Sequence, residues 1–297
     1  MFNKILYIYS ILVVNSFTIM AESICFYNGE GTGPLSSQSL LESLKQELEG
    51  SFYELKNSDQ MIDCIHKEND NSHLRIIIPG GNTVIIARSL ANSLVEIRQA
   101  VNDGASYLGV CAGAMLASSR LYFNGEELLD RNQLLSLFNG YSYSFSHPFI
   151  SKKIITNDTA MGRLVNIKDY ETNNIFKVFW NRGGYFENIN HDSTVLSIYV
   201  DDPNHDENIK PLKIDSSAIL STRYGKGLVL LSQVHLELAC LANFSKYKHE
   251  IFYKDHAPYA GIQLENIKTD EVNEYELYST KLLKQLLRRG NFVLKKL

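Results

Sequence analysis

Three short stretches of the chain carry groups suited to acyl-transfer chemistry. Cys111 lies in Tyr107-Leu-Gly-Val-Cys-Ala-Gly-Ala-Met115, which reads as a short buried strand, a tight turn with glycine two residues either side of the thiol, and a helix behind it. Such an elbow exposes a nucleophile and aims the first helical N–H groups, that of Ala112 first, at whatever the sulfur attacks. His235-Leu-Glu237 offers a base to take the thiol proton and a carboxylate to orient that base. On extended backbone, residues two apart share a face, so both side chains can point at one site. Pro79-Gly80-Gly81 exposes backbone at the end of an apolar run, making Gly80 or Gly81 a partner to Ala112 in holding an oxyanion. Asn28, Glu30, Arg182 and Tyr185 fall on loops able to rim the same pocket, where Asn and Arg suit a polar or carboxylate group of a substrate.

Each feature also has a plainer reading. A free cysteine often serves as a small buried hydrophobe. A bare His-x-Glu is commonly a surface histidine beside the start of a helix, and Pro-Gly-Gly or Gly183-Gly184 can simply shape a turn. Oxidation at Cys111, with redox sensing as its output, is a third use of such a thiol. The remaining histidines (His66, His73, His147, His191, His205, His249 and His256) show no metal-ligand spacing with acidic or Cys partners. Neither a metal nor a cofactor is expected.

The elements that must position these groups follow a strand–helix rhythm. Strands are expected at Ser23–Tyr27, Phe52–Leu55 and Leu74–Ile78, with another leading into Cys111. Helical spacing runs over Leu40–Leu48, Val84–Leu94 and Ser93–Asn102, and Met61–Ile65 forms a further short element. This alternation implies a parallel sheet wrapped by helices. Further on, Leu128–Phe138 reads as helix and Tyr141–Phe145 as strand. Asn181–Tyr185 reads as a loop between strands at Phe176–Trp180 and Thr194–Val200, and 201–210 as a polar surface loop. Ala218–Thr222 and Gly227–Ser232 form a hairpin about Tyr224–Gly227. The tail from Leu238 reads as mostly helical, its basic amphipathic stretch Lys281–Lys296 packing on the body rather than on a membrane.

At 297 residues, with 44% apolar and 21% charged residues, the chain can bury a large α/β core. A net charge of −4 without a basic run argues against a nucleic-acid partner. Its 17 Tyr and 14 Phe are dispersed rather than arrayed for base stacking. Residues 1–21 read as a secretory signal peptide: Lys4 is the only charge before Glu22, Ile5–Val14 is almost wholly apolar, and Ala21 offers a cleavage site. The expectation is an exported protein, periplasmic or extracellular, without stable membrane insertion. The alternative is an uncleaved N-terminal anchor, although the apolar run is short for a spanning helix. Cys25, Cys64, Cys111 and Cys240 contain no Cys-x-x-Cys pair; in an oxidising compartment Cys25 and Cys64 could pair, which spacing alone leaves open.

Taken in order, Tyr27-Asn-Gly-Glu-Gly31, Ile78-Pro-Gly-Gly81, Ile97-Arg with Gly104, Tyr107–Ala114, Asn181-Arg-Gly-Gly-Tyr-Phe186 and Tyr224-Gly-Lys-Gly227 through His235-Leu-Glu237 resemble the biotin–protein ligase N-terminal domain family. That family lies within the class I glutamine amidotransferase-like superfamily, and the resemblance runs from Ile24 to Glu237. It implies a flavodoxin-like three-layer α/β sandwich with a mostly parallel sheet. It also places Cys111, His235 and Glu237 at the nucleophile, base and acid positions, and Pro79-Gly80-Gly81 at the oxyanion loop. Leu236 replaces the family's usual proline and Met115 its usual tyrosine; neither change removes a reactive group. The sequence after Glu237 does not carry the ligase's catalytic motifs, so biotin ligation is not expected. The domain organisation implied is a signal at 1–21, an amidotransferase-like domain at 22–240 and a helical extension at 241–297. The function implied is cleavage of an amide or related acyl bond in a small-molecule or peptide-like substrate. The alternative is a ligand-binding or regulatory protein that keeps fold and pocket without catalysis.

Overall fold

The structure is a computed structural model that describes residues 22–144, 163–181, 183–201, 215–238 and 269–295. The segment 1–21, Phe145, Arg182, most of the 201–210 loop and Cys240 lie outside the described residues.

The chain opens as the expected alternation: β1 (Ser23–Tyr27), α1 (Pro34–Glu47), β2 (Ser51–Leu55), α2 (Ser58–His66), β3 (Leu74–Ile78), α3 (Thr83–Ser89), α4 (Leu94–Asp103), β4 (Ser106–Val110) and α5 (Ala112–Leu116). Pro34 at the first turn starts α1 six residues ahead of its leucine stripe, since a proline there forfeits no helical bond. Asn57 caps α2 by accepting from the Gln60 N–H, and Asn82 caps α3 by accepting from Val84 and Ile85.

The second half is richer in strands than the sequence suggests. It holds β5 (Ser118–Phe123), β6 (Glu126–Leu129), β7 (Phe138–Ser144), β8 (Arg163–Asp169), β9 (Ile175–Trp180), β10 (Gly184–Glu187), β11 (Ser193–Tyr199), β12 (Ser217–Tyr224) and β13 (Gly227–Ser232), then α6 (Thr269–Arg289). The helix expected over Leu128–Phe138 does not form. Its backbone donors are used elsewhere: Leu135 N–H donates to the Leu116 carbonyl (2.8 Å) and Phe138 N–H to Ala117 (2.9 Å). Leu134, Leu135 and Leu137 are buried there, so the leucine spacing reports a packed loop rather than a helix face. The loop expected at Asn181–Tyr185 becomes strand from Gly184 onward. The basic helix expected through Lys296 ends at Arg289, where Gly290 and Asn291 (φ 55°) turn the chain back and Leu294 bridges to Leu48.

The thirteen strands of the described residues share one sheet with the main order β2-β1-β3-β4-β13-β12-β10-β7-β5-β6, and β11, β8 and β9 branch from β12. From β2 to β13 the pairings are parallel, the pattern that helical crossovers produce. Beyond β13 they are antiparallel except for β5 with β7.

Period-two burial makes the parallel part a middle layer. Ile24, Phe26, Ile77, Leu108 and Leu230 face one core with Leu40 and Leu44 of α1 and Leu282, Leu283, Leu286 and Leu287 of α6. Tyr27, Ile76, Ile78, Tyr107, Val229 and Leu231 face the other with Met61, Ile65, Val84, Ile86, Ile97 and Val101. The result is a three-layer sandwich. Cys25 and Cys64 form a disulfide that fastens β1 to α2, with Cα atoms 6.1 Å apart. No described helix is long and apolar enough to cross a membrane.

Candidate active site

Because β1, β3, β4 and β13 run parallel, the loops after their carboxyl ends gather at one edge of the sheet. That edge carries Asn28–Gly33, Pro79–Gly81, Cys111 and Gln233–Glu237. The three stretches singled out for chemistry, dispersed along the sequence, therefore meet there.

Cys111 sits between β4 and α5 with φ 49° and ψ −106°, a conformation that favours glycine and costs a side-chain-bearing residue about 1–3 kcal/mol. The strain falls on the cysteine and not on its glycines, which serve close packing instead. A Cβ on Gly113 would lie 2.0 Å from the Ile78 carbonyl oxygen, and one on Gly109 would lie 2.6 Å from Gly113. The turn is held by Tyr107 Oη donating to the Gly113 carbonyl (2.7 Å) and Cys111 N–H donating to Ser232 (2.7 Å). The thiol is nearly buried, 5% exposed, and points its S–H at the Asn181 carbonyl at 3.9 Å.

His235 and Glu237 follow β13, but not on extended backbone. His235 N–H donates to the Phe179 carbonyl (2.8 Å), and Leu236–Leu238 then make one tight helical turn. That turn, rather than strand alternation, swings the Glu237 carboxylate beside the ring: His235 Nδ1 and Glu237 Oε1 are 2.7 Å apart, both side chains buried. Gly80 is where the groups converge. A Cβ there would meet His235 Cε1 at 2.6 Å, Ser36 Oγ at 2.9 Å and Cys111 Cβ at 3.3 Å.

Burial alone would drive proton from the His235 ring. The Glu237 carboxylate, the Cys111 sulfur and hydrogen bonds to both outweigh it, and the imidazole pKa is pushed up to about 10. The site therefore favours an imidazolium at His235. Among the described residues, His235 Nε2 and Glu237 Oε2 are nevertheless buried without an aligned hydrogen bond. Tyr199 belongs to the same surroundings: burial first, and the Cys111 sulfur second, hold its phenol well above the usual range, and its Oη donates to the Gly184 carbonyl (2.8 Å).

The other expected site residues separate. Gly80 is committed on both backbone groups, its N–H donating to Ser36 Oγ (3.0 Å) and its carbonyl accepting from Gly33 (2.8 Å). The bridge between Thr32 and Gly81 uses Gly33 N–H and Asn82 N–H, leaving the Gly81 N–H outside it. Asn28 lies on the loop after β1, at this edge of the sheet. Its amide donates to Glu54 Oε2 (3.3 Å) and accepts from Ser37 Oγ (2.7 Å), tying β1 to β2 and α1. Glu30 is exposed, and its carbonyl accepts from Tyr27 Oη (2.9 Å). Tyr185 is buried in the same core as Cys111, with its ring stacked on Tyr143 at 5.0 Å. Arg182 lies outside the described residues.

Ser36, Tyr199 and Gln233 were not legible as site residues. Gln233 is buried and accepts the Gly184 N–H on Oε1 (3.0 Å), which stitches the β9–β10 loop to the end of β13. None carries a spacing signal, since each reaches the edge from a different element. Among the described residues no group of three or more His, Cys, Asp or Glu side chains could hold a metal ion.

The fold is a three-layer α/β sandwich with a cysteine elbow at the carboxyl edge of the parallel part of its sheet. Residues 22–295 match the family described as biotin-protein ligase, N terminal, and the chain belongs to that family. An uncharacterized protein of Chlamydia muridarum is 28% identical over 169 residues, which span 54% of this chain and 60% of that relative's length. Among solved structures, a glutamine amidotransferase superposes with a TM-score of 0.48 at 18% identity, covering 75% of this chain and 95% of its own. A putative GMP synthase protein from Thermoplasma acidophilum superposes with a TM-score of 0.39 at 11% identity, covering 90% of this chain and 98% of its own.

Proposed function

We propose that this chain is an exported hydrolase that cleaves an amide or related acyl bond through Cys111, His235 and Glu237. The observation that carries the reading is the convergence at Gly80 of a backbone-strained Cys111 and a buried His235 oriented by Glu237. Cys111, deprotonated by His235, attacks the substrate carbonyl, and a tetrahedral intermediate forms. Its oxyanion is stabilised by the Ala112 and Gly81 N–H groups, since that of Gly80 is held by Ser36. The imidazolium returns the proton to the leaving amine, a thioester remains on Cys111, and water attacking through His235 releases the acid. Tyr185 walls the pocket in this reading. The substrate is a small molecule or a peptide-like amide.

Export is supported by the N-terminal sequence pattern and by the Cys25–Cys64 disulfide, which an oxidising compartment preserves. Glu22, the first residue after the expected cleavage, is already part of the body, buried and paired with Arg75. N-terminal sequencing of protein recovered from the exported fraction should begin at Glu22. A mature chain that still begins at Met1 would overturn that part.

The test of catalysis is alkylation by iodoacetamide near neutral pH, followed by metabolite profiling of wild type against Cys111→Ala. Rapid modification confined to Cys111, and amides that accumulate only with the variant, are expected. A thiol no faster than a free cysteine would sink the hydrolase. It would favour the second reading, a ligand-binding protein that keeps the pocket, to which the unaligned Nε2 of His235 lends support.

A further inference from the structure

We infer that Ser36 is a positioning residue of the site, a hydroxyl that fixes the Glu237 carboxylate and couples it to the Pro-Gly-Gly loop. The inference rests on the hydrolase reading above and extends it to a residue that neither sequence pattern nor resemblance assigns.

Ser36 Oγ donates to Glu237 Oε1 at 2.6 Å and accepts the Gly80 N–H at 3.0 Å, and both contacts are buried. Among the described residues, Glu237 Oε1 thus receives two bonds, one from Ser36 and one from His235 Nδ1 at 2.7 Å, whereas Oε2 is buried with none. A carboxylate buried at this depth keeps its charge only if donors solvate it, and each charge-assisted bond is about twice as strong as a neutral one. Loss of the hydroxyl leaves Glu237 with the imidazole as its sole donor and free to rotate about its terminal torsion. The loosened carboxylate then holds the His235 ring less firmly, and the ring steadies a thiolate at Cys111 less well. The same loss frees the Gly80 N–H beside Cys111 Cβ, so the loop and the triad loosen together.

The residue reaches this place through the helix start. Pro34 sets the first turn of α1, and Ser36 in that turn faces inward, buried, while Ser37 beside it bonds instead to Asn28 Oδ1 at 2.7 Å. The two adjacent serines make a built-in control: each loses one short hydrogen bond to a side-chain oxygen, but only Ser36 touches the triad. Alanine suits a helix, so neither replacement should disturb α1.

The experiment is the pH dependence of iodoacetamide alkylation of Cys111 in the full chain, for wild type, Ser36→Ala, Ser37→Ala and Ser36→Thr, with melting temperature as a check on folding. The other titratable groups acting on the pair are Glu237 and Tyr199, and all four proteins retain them. Ser36→Ala should raise the thiolate midpoint by about one pH unit, roughly a tenfold slower reaction below it. Ser37→Ala should follow the wild type, and Ser36→Thr, which keeps a hydroxyl, should recover most of the shift. A folded Ser36→Ala with the wild-type midpoint, or an equal shift in Ser37→Ala, overturns the inference. Failure of the underlying reading looks different: Cys111 of the wild type would itself alkylate like a free thiol, and His235→Gln would change nothing.

Discussion

Glu237 Oε1 lies 2.7 Å from His235 Nδ1, and the two side chains are 0% and 3% exposed. A hydrogen bond this short between buried partners fixes the tautomer and the ring plane, so Nε2 is the nitrogen left for the sulfur. Removing the carboxylate should reverse the balance on the ring. In Glu237→Gln, burial then dominates, and the His235 midpoint should fall from about 10 toward or below the ordinary 6.5. Imidazole resonances followed by NMR across pH would show it, and a midpoint that stays high would refute the assignment of cause.

The same raised pKa makes stability depend on pH. A group more basic in the folded than in the unfolded chain stabilises the fold fully below its unfolded pKa, here 6.5, and loses that contribution as pH rises through about 10. Urea unfolding between those limits should therefore show stability declining with pH. His235→Gln should flatten that decline, and an unchanged slope in the variant would count against it.

Backbone strain at Cys111 predicts an unusual ranking. At φ 49° and ψ −106° glycine is at ease and alanine is not. Cys111→Gly should therefore melt higher than Cys111→Ala, by the equivalent of about 1 kcal/mol, while both lose Cys111-dependent turnover. Equal melting temperatures would mean the elbow carries no strain.

Gly80 has no room for a side chain because His235, Ser36 and Cys111 surround it. Gly80→Ala should push those three apart and slow Cys111 alkylation by at least about tenfold, near 1.4 kcal/mol. Gly125→Ala is the control: beyond its chain neighbours a Cβ there would meet none of the described residues within 4 Å, although its φ of 89° adds a local penalty, and alkylation should stay at the wild-type rate.

The Cys25–Cys64 bridge closes a sequence separation of 39 residues and fastens β1 to α2. Replacing both cysteines with serine should cost about 2–4 kcal/mol in chemical denaturation while leaving the Cys111 alkylation rate in the folded state unchanged. Loss of Cys111 reactivity under native conditions would show that the bridge also shapes the site.

The parallel half of this protein was legible because each element there announces itself locally. Ile76–Ile78 is an apolar run ending in Pro79-Gly80-Gly81, and Cys111 sits in a turn whose flanking residues can only be small. Leu128–Phe138 was misleading for the opposite reason. Its leucines have helical spacing, but tertiary hydrogen bonds to Leu116 and Ala117 claim its backbone. That Asn28 links β1 to β2 and α1, and that Glu30 is exposed, follows only from the tertiary structure, since loop position alone specifies no partner.

What the sequence by itself determined, then, is the set of reactive types and the order of their elements, because strand period, turn glycines and helix starts are local properties. Only the tertiary structure decided that His235 and Glu237 meet through a tight turn, that Gly80 is where they approach Cys111, and that Ser36 holds the carboxylate from another helix. Those are contacts between elements as far as 201 residues apart, and no local preference encodes them.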